Sequence, residues 1–133
     1  MRSLIVLATI AVILSGCALS PEYMSASSDR DVCERYGVFS RNPMFSELTT
    51  QYHAEMERRS LLSQNEKDLV AKKQIQIGMS LCALYASWGK PDHENRSVGS
   101  WGTHIQHVYN AGLRYIRPTY VYTENGVVTS WQD

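Results

Sequence analysis

The chain has 133 residues with 13 basic and 13 acidic side chains, a formal net charge of zero. That length supports one small domain with one core rather than two. The balanced charge, with no basic face and no interleaving of aromatic and basic residues, argues against nucleic acid as a partner.

In chain order, Arg2 precedes an aliphatic run from Leu4 to Leu14 interrupted only by Thr9. The run fits a secretory core and falls short of the roughly 18–20 residues that cross a bilayer. Leu14-Ser15-Gly16-Cys17 then resembles the bacterial lipobox. The resemblance implies that residues 1–16 are a lipoprotein signal peptide. It implies that the Cys17 thiol carries a diacylglycerol and that the new amino terminus is acylated, with palmitate as a typical chain. One acyl chain holds a protein only marginally, whereas two or more anchor it. Ala18 in place of Asp after the cysteine implies sorting to the outer membrane, facing the periplasm.

With Cys17 lipidated, two cysteines remain, Cys33 and Cys82. In an oxidising compartment they either pair or persist as two buried thiols that never meet. Residues 17–31, rich in Ser and Asp with one Pro, read as the lipidated cysteine and a flexible tether, and residues 32–133 as a single domain.

Asn42-Pro43 marks a helix start, with Asn as cap and Pro in the first turn. Phe45, Leu48, Tyr52 and Met56 follow at helical spacing and predict a helix to about Arg59. Ser63 and Glu66 form a capping box, so a short second helix should run to about Lys73 with Leu69 and Val70 inward. Ile75 and Ile77 alternate briefly, and Gly78 permits a turn. Ser80 caps a third helix with Leu84 and Trp88 inward, which Gly89 and Pro91 end.

Beyond His93 the period changes. His93 and Glu94 read as a polar loop and the Gly99–Gly102 stretch as a turn. The segments "THIQHVYN" and "TYVYTE" read as strands. Asn125-Gly126 is a two-residue hairpin loop. Its register puts Tyr120 opposite Trp131 and Tyr122 opposite Thr129, and the aromatic side is expected to face the helices. The expected fold is α+β: a two-layer sandwich of helices on a three-stranded antiparallel meander.

"IGMSLCALYASWGKP" and "YVYTENGVVTSWQ" together resemble the SmpA/OmlA (BamE-like) family of small outer-membrane lipoproteins. Gly78, Met79, Ser80, Leu84, Trp88, Gly89 and Pro91 carry the first part of the pattern. Gln106, Val108, Tyr109, Tyr120, Tyr122, Asn125 and Gly126 carry the second. His107 and Thr123 depart from it, standing where aromatic residues are usual. The resemblance spans roughly residues 61–132. It implies helices on an antiparallel sheet, similar to one repeat of the β-lactamase-inhibitor protein. It also implies a role beside the machinery that inserts barrels in the outer membrane. The motif residues are folding residues and contain no chemistry.

Histidine and cysteine are the side chains here with the most reactive chemistry. His104 and His107 are three apart on a strand and so point to opposite faces, which argues against chelation. Neither cysteine has a local base, and Asp92 with Glu94 makes a poor acid–base pair. No catalytic residue, metal or cofactor is therefore expected. The expected partners are the membrane, through the lipid on Cys17, and an envelope protein met by Trp101, His104 and Gln106. An inhibitor of an envelope enzyme is the alternative, and a cell-wall hydrolase using Cys or His chemistry a third.

Overall fold

The computed structural model describes residues 20–133. The expected signal peptide and the lipid attachment at Cys17 lie outside the described residues. Among the described residues, five α-helices precede a four-stranded antiparallel meander, so the class is α+β.

The stretch expected to be a tether is folded from Ser20 onward. The Ser20 side chain caps α1, Pro21–Ala26, and Ser28 caps α2, Asp29–Phe39. The serines that suggested flexibility are helix caps, whose hydroxyls satisfy orphan N–H groups of a first turn. Arg59 fixes the junction of these helices, donating to the carbonyls of Met24 and Ser27 and to Asp29 at 2.8–2.9 Å. Val32 and Cys33 of α2 are fully buried. Gly37 weakens helix propensity but lets α2 lie close on the helix that carries Tyr85, Leu81–Trp88: a Cβ there would meet the Tyr85 carbonyl at 2.0 Å.

Asn42 caps a 3-10 turn, Pro43–Phe45, which leads into α3, Ser46–Arg58. Tyr52 and Met56 of α3 are buried as the stripe predicted, while Phe45 sits at the margin. The capping box of Ser63 and Glu66 opens α4, Gln64–Ala71, and Ser80 opens α5, Leu81–Trp88. Glu66 does more than close its own box. One carboxylate oxygen accepts from Ser63 N at 2.8 Å and the other from Ser80 N at 2.7 Å, tying two helix starts together. Leu84 is fully buried, a burial that stabilises by about 1.5–3 kcal/mol.

The sheet contains β1, His93–Gly99; β2, Gly102–Tyr109; β3, Thr119–Glu124; and β4, Val127–Gln132, in sequence order. The three-strand expectation is corrected to four. The residues read as a polar loop after Pro91 form β1, pairing from His93↔Val108 to Gly99↔Gly102. They were missed because "HENRSVG" has little β-branched or aromatic character; the neighbouring strand and the turn impose extension.

The face assignment is also corrected. Val121, Thr123, Val128 and His107 face the helices and are at most 1 % exposed. Tyr120 and Tyr122 lie on the opposite, open face. Asn125 and Gly126 form the two-residue loop with φ of +49° and +83°. Glu124↔Val127 and Thr123↔Val128 pair as expected. A bulge then shifts the register, so that Tyr122 meets Ser130 and Val121 meets Trp131. One extra residue moves every later side chain of β4 to the other face.

Candidate functional site

Among the described residues, polar side chains gather around Glu55, where Arg58 and Arg59 converge, and at two places in the sheet: its open face and the seam beneath β1. On the open face, strand alternation aligns Asn95, Gln106 and Tyr122 across three strands. Asn95 Nδ2 donates to Gln106 Oε1 at 2.8 Å, and Gln106 Nε2 donates to the Tyr122 hydroxyl at 3.0 Å. Gln132 Nε2 donates to the same hydroxyl at 2.6 Å. Asn95, Ser97, His104, Gln106, Tyr122 and Glu124 border a shallow groove of about 190 Å³. His104 Nε2 stands 4.0 Å from Glu124 Oε1.

The structure thus brings two of the three expected surface residues, His104 and Gln106, to one groove. Trp101 lies apart from it, at the tip of the β1–β2 hairpin, and is 60 % exposed. Its ring lies over Gly99, where an added Cβ would come within 2.5 Å of the indole. The indole therefore packs on its own hairpin and not on the core.

Beneath β1 the arrangement is tighter. Glu94, on β1, receives donors from three other elements. Arg30 of α2 donates to Oε2 at 2.9 Å, the Tyr85 hydroxyl of α5 donates to Oε1 at 2.8 Å, and His107 Nδ1 of β2 stands 2.9 Å from Oε1. Arg30 also donates to Glu34 Oε1 at 2.7 Å, and its guanidinium lies 4.9 Å from the Tyr85 ring centroid. His107 Nε2 and Thr123 Oγ1 are 3.0 Å apart.

The electrostatics assign the protons. Burial pushes the Glu94 carboxyl up, but hydrogen bonds from Arg30 and Tyr85 outweigh it and hold the group below its ordinary value. Burial lowers His107, with Glu94 opposing, and it stays neutral at pH 7. Burial first, and then the bond to Glu94, raises the Tyr85 phenol. An ionised Glu94 can only accept, so Nδ1 of the neutral imidazole carries the proton and Nε2 accepts from the Thr123 hydroxyl.

Hydroxyl, imidazole and carboxylate in this order have the connectivity of a nucleophile relay. The position forbids that use: His107 is 0 % and Thr123 1 % exposed, so no substrate carbonyl can approach the hydroxyl. The chain of bonds instead fastens α2 and α5 to β1, β2 and β3. Sequence reasoning missed it because Glu94 was read in a loop and Arg30 in a tether. The available signal was the alternation Ile105, His107, Tyr109. Once β1 is recognised, the Ser100–Trp101 turn sets Glu94 opposite His107.

Cys33 and Cys82 are joined, with Cα atoms 5.2 Å apart, linking α2 to α5. Among the described residues no cluster of three or more His, Cys, Asp or Glu could hold a metal ion, and no helix is long and apolar enough to cross a membrane. No protein-family model matches the chain, and no curated protein or solved structure is found similar to it.

Proposed function

We propose that this chain is a non-enzymatic outer-membrane lipoprotein of the SmpA/OmlA (BamE-like) kind. It would be a small binding or scaffold module, held on the periplasmic side by acyl chains on Cys17, that assists assembly or stability of an envelope protein complex. The observation that carries this reading is Leu14-Ser15-Gly16-Cys17 at the end of an aliphatic run, directly ahead of an α+β body. Ser20 already caps α1, so few residues separate the lipid from the folded body. The domain then works close to the bilayer rather than on a long reach.

Two features of the body support a binding role. The His107–Glu94 network, the arrangement with most chemical potential, is spent on holding layers together. The open face, with its polar groove, and the free edge of β1 are where another chain can dock. The alternative, an inhibitor or ligand-binding protein acting on an envelope enzyme, is favoured by one observation: Trp101 projects from a hairpin tip, 60 % exposed, and a protruding indole is a common anchor in a partner's pocket.

The test is capture of the lipidated protein from detergent-solubilised envelopes after crosslinking. A barrel protein or an assembly subunit supports the first reading. A single soluble enzyme, inhibited by the purified chain, supports the second. Recovery of neither removes both.

A further inference from the structure

The sheet has two edges, and they are treated differently. At the β4 edge, Gly78 N donates to Val128 O at 2.8 Å, Val128 N to Met79 O at 2.9 Å and Leu81 N to Gly126 O at 3.0 Å. The bulge beyond Thr123 distorts what is left. This edge is covered and bent, two common protections against further pairing. β1 has neither. Its residues His93 to Gly99 pair in unbroken register with β2 on one side, and no described residue pairs with it on the other. It contains no Pro, no Lys and no bulge.

The side chains along this edge state what it can receive. Glu94, Arg96 and Val98 share the helix-side face by alternation. Glu94 is consumed by Arg30, Tyr85 and His107, which hold this end of the strand in place. Past it the helix layer stops: Arg96 is exposed and in no ion pair among the described residues, and Val98 is 64 % exposed. Arg30, which holds Glu94, keeps 46 % of its side chain exposed. The edge therefore offers a fixed row of backbone donors and acceptors, then a positive position and an aliphatic one two residues apart.

We propose that β1 is a template for strand addition, taking an extended segment of a partner protein that carries an acidic side chain opposite Arg96 and an aliphatic one opposite Val98. Backbone pairing supplies the affinity and these two side chains the selectivity. The proposal deepens the binding-module reading and rests on it for the existence of a natural partner.

The test uses the full chain and short capped peptides that alternate Glu and Val on one face and Thr on the other. A second set has Lys in place of Glu. Hydrogen exchange followed residue by residue reports where each peptide pairs. The expected result is slowed exchange at β1 amides with the Glu/Val peptide and no change at β4. Arg96→Glu is expected to weaken that binding about tenfold and to transfer preference to the Lys/Val peptide. The Arg96 side chain makes no hydrogen bond or ion pair among the described residues, so the variant should keep the wild-type melting temperature. Unprotected β1 amides at millimolar peptide, or equal response to Glu and Lys peptides, would overturn the proposal. Failure here is separable from failure of the binding-module reading. An envelope partner that Arg96→Glu retains undiminished ends strand addition at β1 and leaves the module intact.

Discussion

On the helix-covered face of the sheet, His107, Val121, Thr123 and Val128 are at most 1 % exposed. On the open face, Gln106, Tyr120 and Tyr122 are only half-buried, and the Gln106 amide donates to the Tyr122 hydroxyl. The covered face selects side chains that are small, branched or fully bonded, because α5 lies directly on it. The open face takes the large phenols, which cover neighbouring strands with their rings and keep their hydroxyls in water. Aromatic bulk is thus a poor guide to the inside of this sheet. What decides is whether a side chain fits under a helix with every polar atom paired.

Removing the centre of the covered face should have the largest effect. Glu94→Ala leaves the buried Tyr85 hydroxyl and His107 imidazole without their shared acceptor and Arg30 with Glu34 alone, and thermal or urea unfolding should show a loss of about 2–6 kcal/mol from the two orphaned donors. A variant as stable as wild type would mean that the layers are held by apolar packing alone. Reducing the Cys33–Cys82 bridge, or replacing both residues with Ser, should cost about 2–4 kcal/mol in the same measurement. Gly37→Ala should follow at about 1–3 kcal/mol, since its Cβ would strike the Tyr85 carbonyl and α2 must lift from α5. The contrasting substitution on the open face, Tyr122→Phe, should stay within about 0.5 kcal/mol despite the loss of two hydrogen bonds, because water replaces them.

The two faces should also separate by pH. Both Glu94 and His107 have folded values below their ordinary ones. A lowered carboxyl stabilises the fold above its unfolded value and loses that contribution as pH falls through the folded one. A histidine kept neutral behaves alike: its contribution is complete above about pH 6.5 and shrinks as the unfolded state takes up protons. Stability should therefore decline from about pH 6.5 downward in the wild type. The early part of that decline should be missing in His107→Gln, as a series of melting curves would show.

Sequence legibility followed local chemistry. The capping box at Ser63, the cap at Ser80, the stop at Gly89 and the Asn125-Gly126 loop are decided by a few neighbouring residues, and the structure has each where its residues placed it. The helices over 21–39 were hidden because their caps are serines in a polar stretch and their apolar face is completed only by α3 and α5. β1 was hidden because its extension comes from pairing with β2. The register of β4 was right for two pairs and then displaced by a bulge that no residue type announces. The Glu94 network was the least visible, since its members are 64 residues apart at the extreme. Yet His107 and Thr123, the two strand positions that depart from the resembled pattern, turn out to bond each other under α5.

The proposed role depends on where the chain is held, and the intact mass of the protein isolated from membranes reads that directly. The expected species begins at Cys17 and carries a diacylglycerol and an amino-terminal acyl chain. A chain that retains Met1, or one with an unmodified thiol at Cys17 recovered from the soluble fraction, would contradict it.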